Sequence, residues 1–181
     1  MFNINRVIVS VFLFGWVMLA VAQERATPAE AYQMDNARLE SLIARVDKDY
    51  QGREGLWEFQ LEGVPLRVVT DKNANRMRIY APIIKADSID KDKLYRLMQA
   101  NFDSTLDARY AIAQGMLWGT FIHPLSSLTD QNFLSGIGQT VNIVISYGNA
   151  YSSGVLTFGG GDSGQLQQEI LERLKRLSET I

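Results

Sequence analysis

Three consecutive stretches that alternate apolar and polar residues constrain the fold of this 181-residue chain more than any other feature. They cover residues 56–61, 64–71 and 76–82. A period of two is typical of strands with one buried face. Because only a short glycine- or asparagine-containing turn separates each stretch from the next, the three together predict an antiparallel meander.

The outer face of this meander carries charges of opposite sign on neighbouring strands. Glu58 and Glu62 lie on the first strand, and Arg67, Arg76 and Arg78 lie on the next two. Opposite charges on one face of adjacent strands favour solvated cross-strand pairs. An anion site built from the arginines is the alternative interpretation.

Helical patterns flank the meander on both sides. The first helix is predicted from its N-cap Asp35 to about Lys48, and the second follows an acidic cluster that suits a positive helix end. A calcium loop would need a glycine at its sixth position, which the cluster lacks. The buried stripe of the first helix is Leu39, Leu42, Ile43 and Val46. The acidic cluster is Asp87, Ser88, Asp90 and Asp92. The buried stripe of the second helix is Leu94, Leu97, Met98 and Ala100.

A hairpin is predicted from residues 108–114 and 116–122, closed by a tight turn at Gln114-Gly115. Apolar residues occur on both of its sides, so both sides need cover. The pattern assigns Ile112, Trp118 and Ile122 to one side and Ala111, Ala113, Leu117 and Phe121 to the other. One side should meet the helices, and the other is a candidate surface for a partner or a second subunit. The candidate residues are Ile112, Leu117, Trp118 and Phe121.

A third helix and a terminal helix complete the pattern. Ser126, Ser127, Thr129 and Asp130 supply caps for a helix with the stripe Phe133, Ile137, Val141 and Val144. Gly136, Gly138 and the β-branched residues after Val141 leave a strand there as the alternative. Residues 148–164 are rich in Gly and Ser and predict a linker, and residues 165–181 predict an amphipathic helix that packs back onto the domain or forms a short coiled-coil seam.

The first 22 residues have the features of an export signal. Arg6 precedes an apolar run from Val7 to Leu19, which closes on Ala20-Val21-Ala22, the small-x-small pattern that signal peptidase cleaves. Cleavage before Gln23 would leave residues 23–34 as a polar tether and place the protein in the periplasm. The alternative is an uncleaved anchor, for which the run is short.

Composition narrows the classes of function. The chain has no Cys, which excludes disulfides, thiol chemistry and thiolate metal sites. Its 18 basic and 20 acidic residues alternate along the chain, a pattern that predicts neither nucleic-acid binding nor membrane insertion after signal cleavage. We expect no cofactor.

The sequence contains two weak signals for catalysis. His123, the single histidine, stands at a strand end, and Gly161-Asp162-Ser163-Gly164 resembles the nucleophile loop of chymotrypsin-like proteases. Position 165 is Gln, however, and a helix begins at once, which is typical of linker and N-cap chemistry. Gly159-Gly160-Gly161 lacks the Lys-Ser/Thr of a phosphate-binding loop. We therefore expect no enzyme; a small hydrolase using Ser163 or His123 is an alternative.

The order helix, three strands, helix, two strands, helix over residues 35–147 resembles the type III secretion chaperone-like fold, the class that includes Tir chaperones and YbjN-like proteins. The most family-like stretch is Lys93–Phe102, with the hairpin and the entry into the third helix behind it. The resemblance implies an α+β homodimer that holds a partner polypeptide on apolar patches, with no reaction. The signal peptide and the terminal helix depart from that family.

Two function hypotheses follow beside the hydrolase. The first is an exported, chaperone-like module that binds a protein or peptide. The second is a structural component of the cell envelope that docks through its C-terminal helix.

Overall fold

The computed structural model describes residues 33–148 and 165–179. It is an α+β domain, as the sequence predicts, and the predicted signal, the tether up to residue 32 and the linker 149–164 lie outside the described residues. The elements are α1 (Asn36–Val46), β1 (Gln51–Arg53), β2 (Leu56–Leu61), β3 (Val64–Asp71), β4 (Arg76–Lys85), α2 (Lys91–Asp103), β5 (Arg109–Ala113), β6 (Met116–His123), α3 (Asp130–Ile145) and α4 (Gln165–Glu179).

The six strands form one antiparallel sheet in the order β1-β2-β3-β4-β6-β5. The predicted meander is β2-β3-β4, and the predicted hairpin is β5-β6. Two-residue turns fix the register, because Leu61 pairs with Val64 and Ala113 pairs with Met116. In the second turn Gln114 and Gly115 both have positive φ angles, 52° and 72°, as a type I′ turn requires.

Strand β1 is missing from the sequence-based expectation, which treats Gly52 and Gly55 as chain breaks. Gly52 instead lies inside β1, opposite Trp57, with φ of 131°. A Cβ atom at this position would lie 2.2 Å from the Leu56 carbonyl oxygen. The close approach of β1 to β2 therefore requires glycine, which has no Cβ.

One face of the sheet packs against α1 and α3 and forms the core. The alternating residues predicted to point inward, Trp57, Phe59, Leu61, Met77, Ile79 and Ala81, are all buried there. On α1 the residues Leu39, Leu42 and Ile43 are buried as predicted. The alternate positions on the opposite face are exposed or half-buried. We call this second face the open face.

Helix α2 lies at the β5 edge of the sheet and starts at its N-cap Asp90. Leu97 and Ala100 are buried as predicted, but Met98 is 46% exposed, so its assignment to the buried stripe is wrong. The reason is the helical angle: Leu97 and Ala100 face the domain together with Asn101, and Met98 points away between Tyr95 and Phe102.

The third predicted helix is confirmed as α3, with Thr129 as its N-cap, and the alternative strand after Val141 is wrong. The two glycines that weaken the helical pattern mark its closest contacts. A Cβ at Gly136 would lie 2.6 Å from the Phe121 ring, and Gly138 faces α4. Tertiary packing thus overrides the low helix propensity of glycine here.

The amphipathic terminal helix is α4, and it packs back onto α3 and α1. Ile170 and Leu174 of the predicted stripe are buried, and Glu169, Glu172, Arg173, Lys175 and Arg176 are exposed as predicted. The side chains of Leu166, Leu177 and Ile181 lie outside the described residues. Within the described part of the chain, no helix has both the length and the hydropathy that a membrane span requires.

Candidate functional site

The register of the β5-β6 hairpin corrects the predicted assignment of its sides. Ile112 lies directly opposite Leu117, and Ala111 lies opposite Trp118. Directly opposed residues share a face of the sheet. Ile112 therefore belongs with Leu117 and Phe121 on the helix side, and Ala111 and Ala113 belong with Trp118 on the open face. The two-residue turn that closes the hairpin fixes this pairing.

The four candidate residues do not form one surface. Leu117 and Phe121 lie in the core, 0% and 4% exposed, and are not available to a partner; their inclusion in a binding surface is corrected. Ile112 is 47% exposed at the outer edge of the sheet. Only Trp118 lies on the open face.

Trp118 has apolar neighbours on the open face. It lies opposite Pro82 of β4, and its ring meets that of Tyr80 edge to face, with 5.4 Å between the ring centroids. Its Nε1 donates a hydrogen bond of 2.9 Å to the Ala113 carbonyl oxygen, which fixes the ring orientation. These side chains define what we call the apolar patch: Tyr80, Pro82 and Trp118.

A half-open cleft of about 840 Å³ extends from Pro82 and Trp118 across β3 and β2 to the end of α1. Its lining includes four carboxylates, Asp47, Asp49, Glu58 and Glu62, and two guanidinium groups, Arg67 and Arg173. The cleft is therefore acidic overall.

Both arginines of the cleft are paired. Arg67 Nε lies 2.8 Å from Glu58 Oε1 across β2 and β3, which is the predicted cross-strand pair. Arg173 of α4 forms an ion pair with Glu62, so Glu62 has its partner on a helix rather than on a neighbouring strand. The structure therefore supports the cross-strand interpretation for Arg67.

Side chains cap backbone groups at two edge positions of the sheet. The Asn101 side chain accepts a hydrogen bond of 2.8 Å from the Tyr110 N–H and donates one of 3.0 Å to the Tyr110 carbonyl, at the β5 edge. At the opposite side, Asp47 Oδ2 accepts a hydrogen bond of 2.9 Å from the Gln60 N–H, beyond the end of β1. Capped edges disfavour strand addition at these points, which leaves the open face as the more accessible surface.

A second exposed apolar surface lies on α2. Tyr95 is 67% exposed, Met98 46% and Phe102 70%, and the spacing of three and four residues places them on one helix face. We call these three residues the α2 stripe. The spacing of these three residues is visible in the sequence, but the predicted buried stripe of the second helix includes Met98 and so hides the exposed one.

His123 lies at the end of β6, where its Nδ1 is 2.8 Å from the Pro124 carbonyl oxygen and its ring stacks on Phe121. Asp107 and Ser135 line the same 240 Å³ pocket. Among the described residues, His123 forms no hydrogen bond to a carboxylate or a hydroxyl group. Ser163 lies outside the described residues. In residues 33–148 and 165–179, no three His, Asp or Glu side chains converge as metal ligands would.

Comparison with known proteins gives similarity to solved structures only. No protein-family model matches the chain. No curated protein matches its sequence.

The chain is similar to a chain of the crystal structure of the ExsC–ExsE complex, with 13% identity and a TM-score of 0.49 over 67% of this chain and 100% of the other. It is similar to the HopA1–SchA chaperone–effector complex, with 10% identity and a TM-score of 0.48 over 62% and 94%. It is also similar to the Yersinia pestis type III secretion chaperone SycH in complex with a stable fragment of YscM2, with 13% identity and a TM-score of 0.43 over 59% and 96%.

Proposed function

We propose that this chain is an exported, non-enzymatic, chaperone-like module that holds an extended segment of a protein partner on the open face of its sheet. The observation that carries the proposal is the position of Trp118: it joins the apolar patch to the acidic cleft. A contiguous apolar surface with a polar rim is typical of protein-interaction sites.

The chemistry of the cleft defines the partner segment. Tyr80, Pro82 and Trp118 offer flat apolar contact, and the carboxylates of the cleft outnumber its arginines. A segment with apolar residues beside Lys or Arg would pack against the apolar side chains and form ion pairs with the carboxylates. An acidic segment would meet like charges and bind weakly.

Binding to short immobilised peptides of varied charge tests this proposal. We expect the purified protein to bind peptides that combine apolar and basic residues, and Trp118→Glu to abolish that binding. Asn73→Ala is the matched control, because Asn73 is exposed in the turn between β3 and β4, away from both Trp118 and α2. Equal binding by the Trp118→Glu variant, or a preference for acidic peptides, would contradict the proposal.

A photo-crosslinking amino acid at position 118 tests the same site in the native envelope. We expect discrete crosslinked partners from position 118 and none of the same size from position 73. Identical products from both positions would show that contact at the open face is not specific.

We further propose that the chain works as a homodimer and that the α2 stripe is the contact between the two copies. The support is the exposure of three large apolar side chains on one helix face, which water does not favour. The open face of each copy would then stay available for the partner.

Export to the periplasm is part of the proposal and depends on residues 1–22. N-terminal sequencing of the exported protein is expected to begin at Gln23. A mature protein that retains Met1 or Arg6 would favour the anchored alternative.

A further inference from the structure

Helix α4 is seated on a notch in α3. A Cβ atom at Gly138 would lie 3.4 Å from both Ile170 Cγ2 and Leu171 Cδ2, and 3.6 Å from Leu174 Cδ1. Because Gly138 has no side chain, the apolar residues of α4 fit into the space beside it. Ile170 and Leu174 are 3% and 0% exposed in this position.

An ion pair fixes the same helix to the sheet. Arg173 bonds Glu62, which lies in the turn between β2 and β3, and both side chains remain partly exposed. The contact pattern of α4 is thus an apolar residue, a basic residue three positions later and an apolar residue four positions later. We call the complementary surface, formed by the Gly138 notch and Glu62, the α4 groove.

The described contacts of α4 with α3 and the sheet include two buried side chains, Ile170 and Leu174, and the ion pair of Arg173, and surface ion pairs contribute little. A helix of 15 residues is marginal in water by itself, so α4 depends on this contact. Residues 149–164 join it to α3, so its docking is an intramolecular association that a second polypeptide can compete with.

The α4 groove is continuous with the cleft on the open face, because Arg173 and Glu62 also line that cleft. A partner segment lying in the acidic cleft would therefore reach Arg173, in the middle of α4. A basic side chain of that segment would compete with Arg173 for Glu62.

We infer that the α4 groove is a receptor site for an amphipathic helix and that α4 is its internal occupant. The competing occupant is a helix of the protein partner that repeats the pattern of Ile170, Arg173 and Leu174. The inference rests on the proposed function only in taking the partner to be a protein. Helix α4 then holds the site closed until such a helix displaces it.

A fluorescent peptide of residues 165–181 tests the groove directly. The receiving protein is the full chain with Ile170→Asp and Leu174→Asp, which expels α4 without changing the groove. We expect saturable binding to this variant, and binding weaker by about tenfold or more to the wild-type protein, because α4 competes from within the molecule. The same peptide with Leu174→Asp should not bind.

Position 138 supplies the matched controls. Gly138→Ala in the receiving variant should keep peptide binding, since a methyl group makes ordinary contact at 3.4 Å. Gly138→Leu should abolish it by filling the notch. Absence of saturable binding to the folded receiving variant, or equal binding of the Leu174→Asp peptide, would overturn the inference.

Hydrogen exchange of the wild-type protein provides a second measurement that requires no variant to fold. Excess peptide should lower the protection of α4 amides and leave α3 protected. Unchanged protection of α4 at saturating peptide would overturn the inference, as would a wild-type dimer that becomes monomeric in the receiving variant, since α4 of a second copy would then be the occupant. If the Trp118→Glu variant binds peptides as the wild-type protein does, the proposed function is contradicted. The results for the α4 groove are independent of that outcome.

Discussion

Gln139 of α3 holds the chain at the point where β5 begins. Its Oε1 accepts hydrogen bonds of 2.7 Å from the Asp107 N–H and 3.0 Å from the Ala108 N–H, and the side chain is 5% exposed. Loss of the acceptor leaves two backbone donors unsatisfied in a buried place. We expect Gln139→Met, which keeps most of the volume, to lower the free energy of unfolding by about 2 kcal/mol in urea titrations. Gln99→Ala is the exposed control; a Met variant as stable as wild type would contradict this role.

Glu54 gives the fold a pH dependence at the turn between β1 and β2. Hydrogen bonds from Lys72 and Asn36, with the charge of Lys72, lower the pKa of Glu54 below its usual value. A lowered pKa in the folded state means that the contribution to stability is present above the unfolded pKa and is lost as the pH falls through the folded one. We expect Lys72→Met to be less stable than wild type near neutral pH and equal to it in acid. A difference that persists at acidic pH would contradict this assignment.

At the scale of elements, the two glycines of α3 make a matched pair. A Cβ at Gly136 would lie 2.6 Å from the Phe121 ring, whereas at Gly138 the nearest atoms are 3.4 Å away. We expect Gly136→Ala to cost about 1–3 kcal/mol through overpacking. Gly138→Ala should be neutral or stabilising by up to about 1 kcal/mol, because alanine favours the helix. Thermal and urea unfolding measure both.

Phe121 provides the check on that explanation. If the clash with the ring is the cause, Phe121→Leu should recover part of the loss in the Gly136→Ala background, so the two changes should not be additive. Strict additivity would place the cause in the backbone of α3 instead.

At the scale of elements, the sequence predicts some burial assignments correctly and others wrongly. The alternation at Trp57, Phe59 and Leu61 reports burial directly, because one face of each strand is buried and the other is not. Gly52 is misread because a glycine required by close strand contact and a glycine that ends a strand look alike in sequence. Met98 is wrongly assigned to the buried side because α2 has apolar residues on two sides, and its sequence does not indicate which side packs against the domain.

The candidate site was predictable in part for a related reason. A hairpin with two apolar sides correctly indicates that one side meets helices, and Trp118 is on the other. Its partners Tyr80 and Pro82 come from β4, whose neighbour in the sheet is β6 rather than the next strand in sequence. Local patterns carry no information on such a pairing, so the apolar patch emerges only from the sheet order.

At the scale of the whole molecule, two apolar surfaces compete for the role of dimer contact: the α2 stripe and the apolar patch. We expect light scattering to show a dimer that Tyr95→Glu with Met98→Glu converts to a monomer, because two carboxylates would be buried against their copies. Trp118→Glu should leave the dimer intact and remove peptide binding.

The reverse result would be equally informative. A dimer lost on Trp118→Glu alone would assign self-association to the open face and leave no free sheet face for the partner. A strict monomer at high protein concentration, for wild type and both variants, would rule out the dimer altogether. Because Tyr95 and Trp118 lie on α2 and on the open face respectively, the two substitutions separate oligomerisation from partner binding, and one pair of variants measured in both assays decides which surface serves which role.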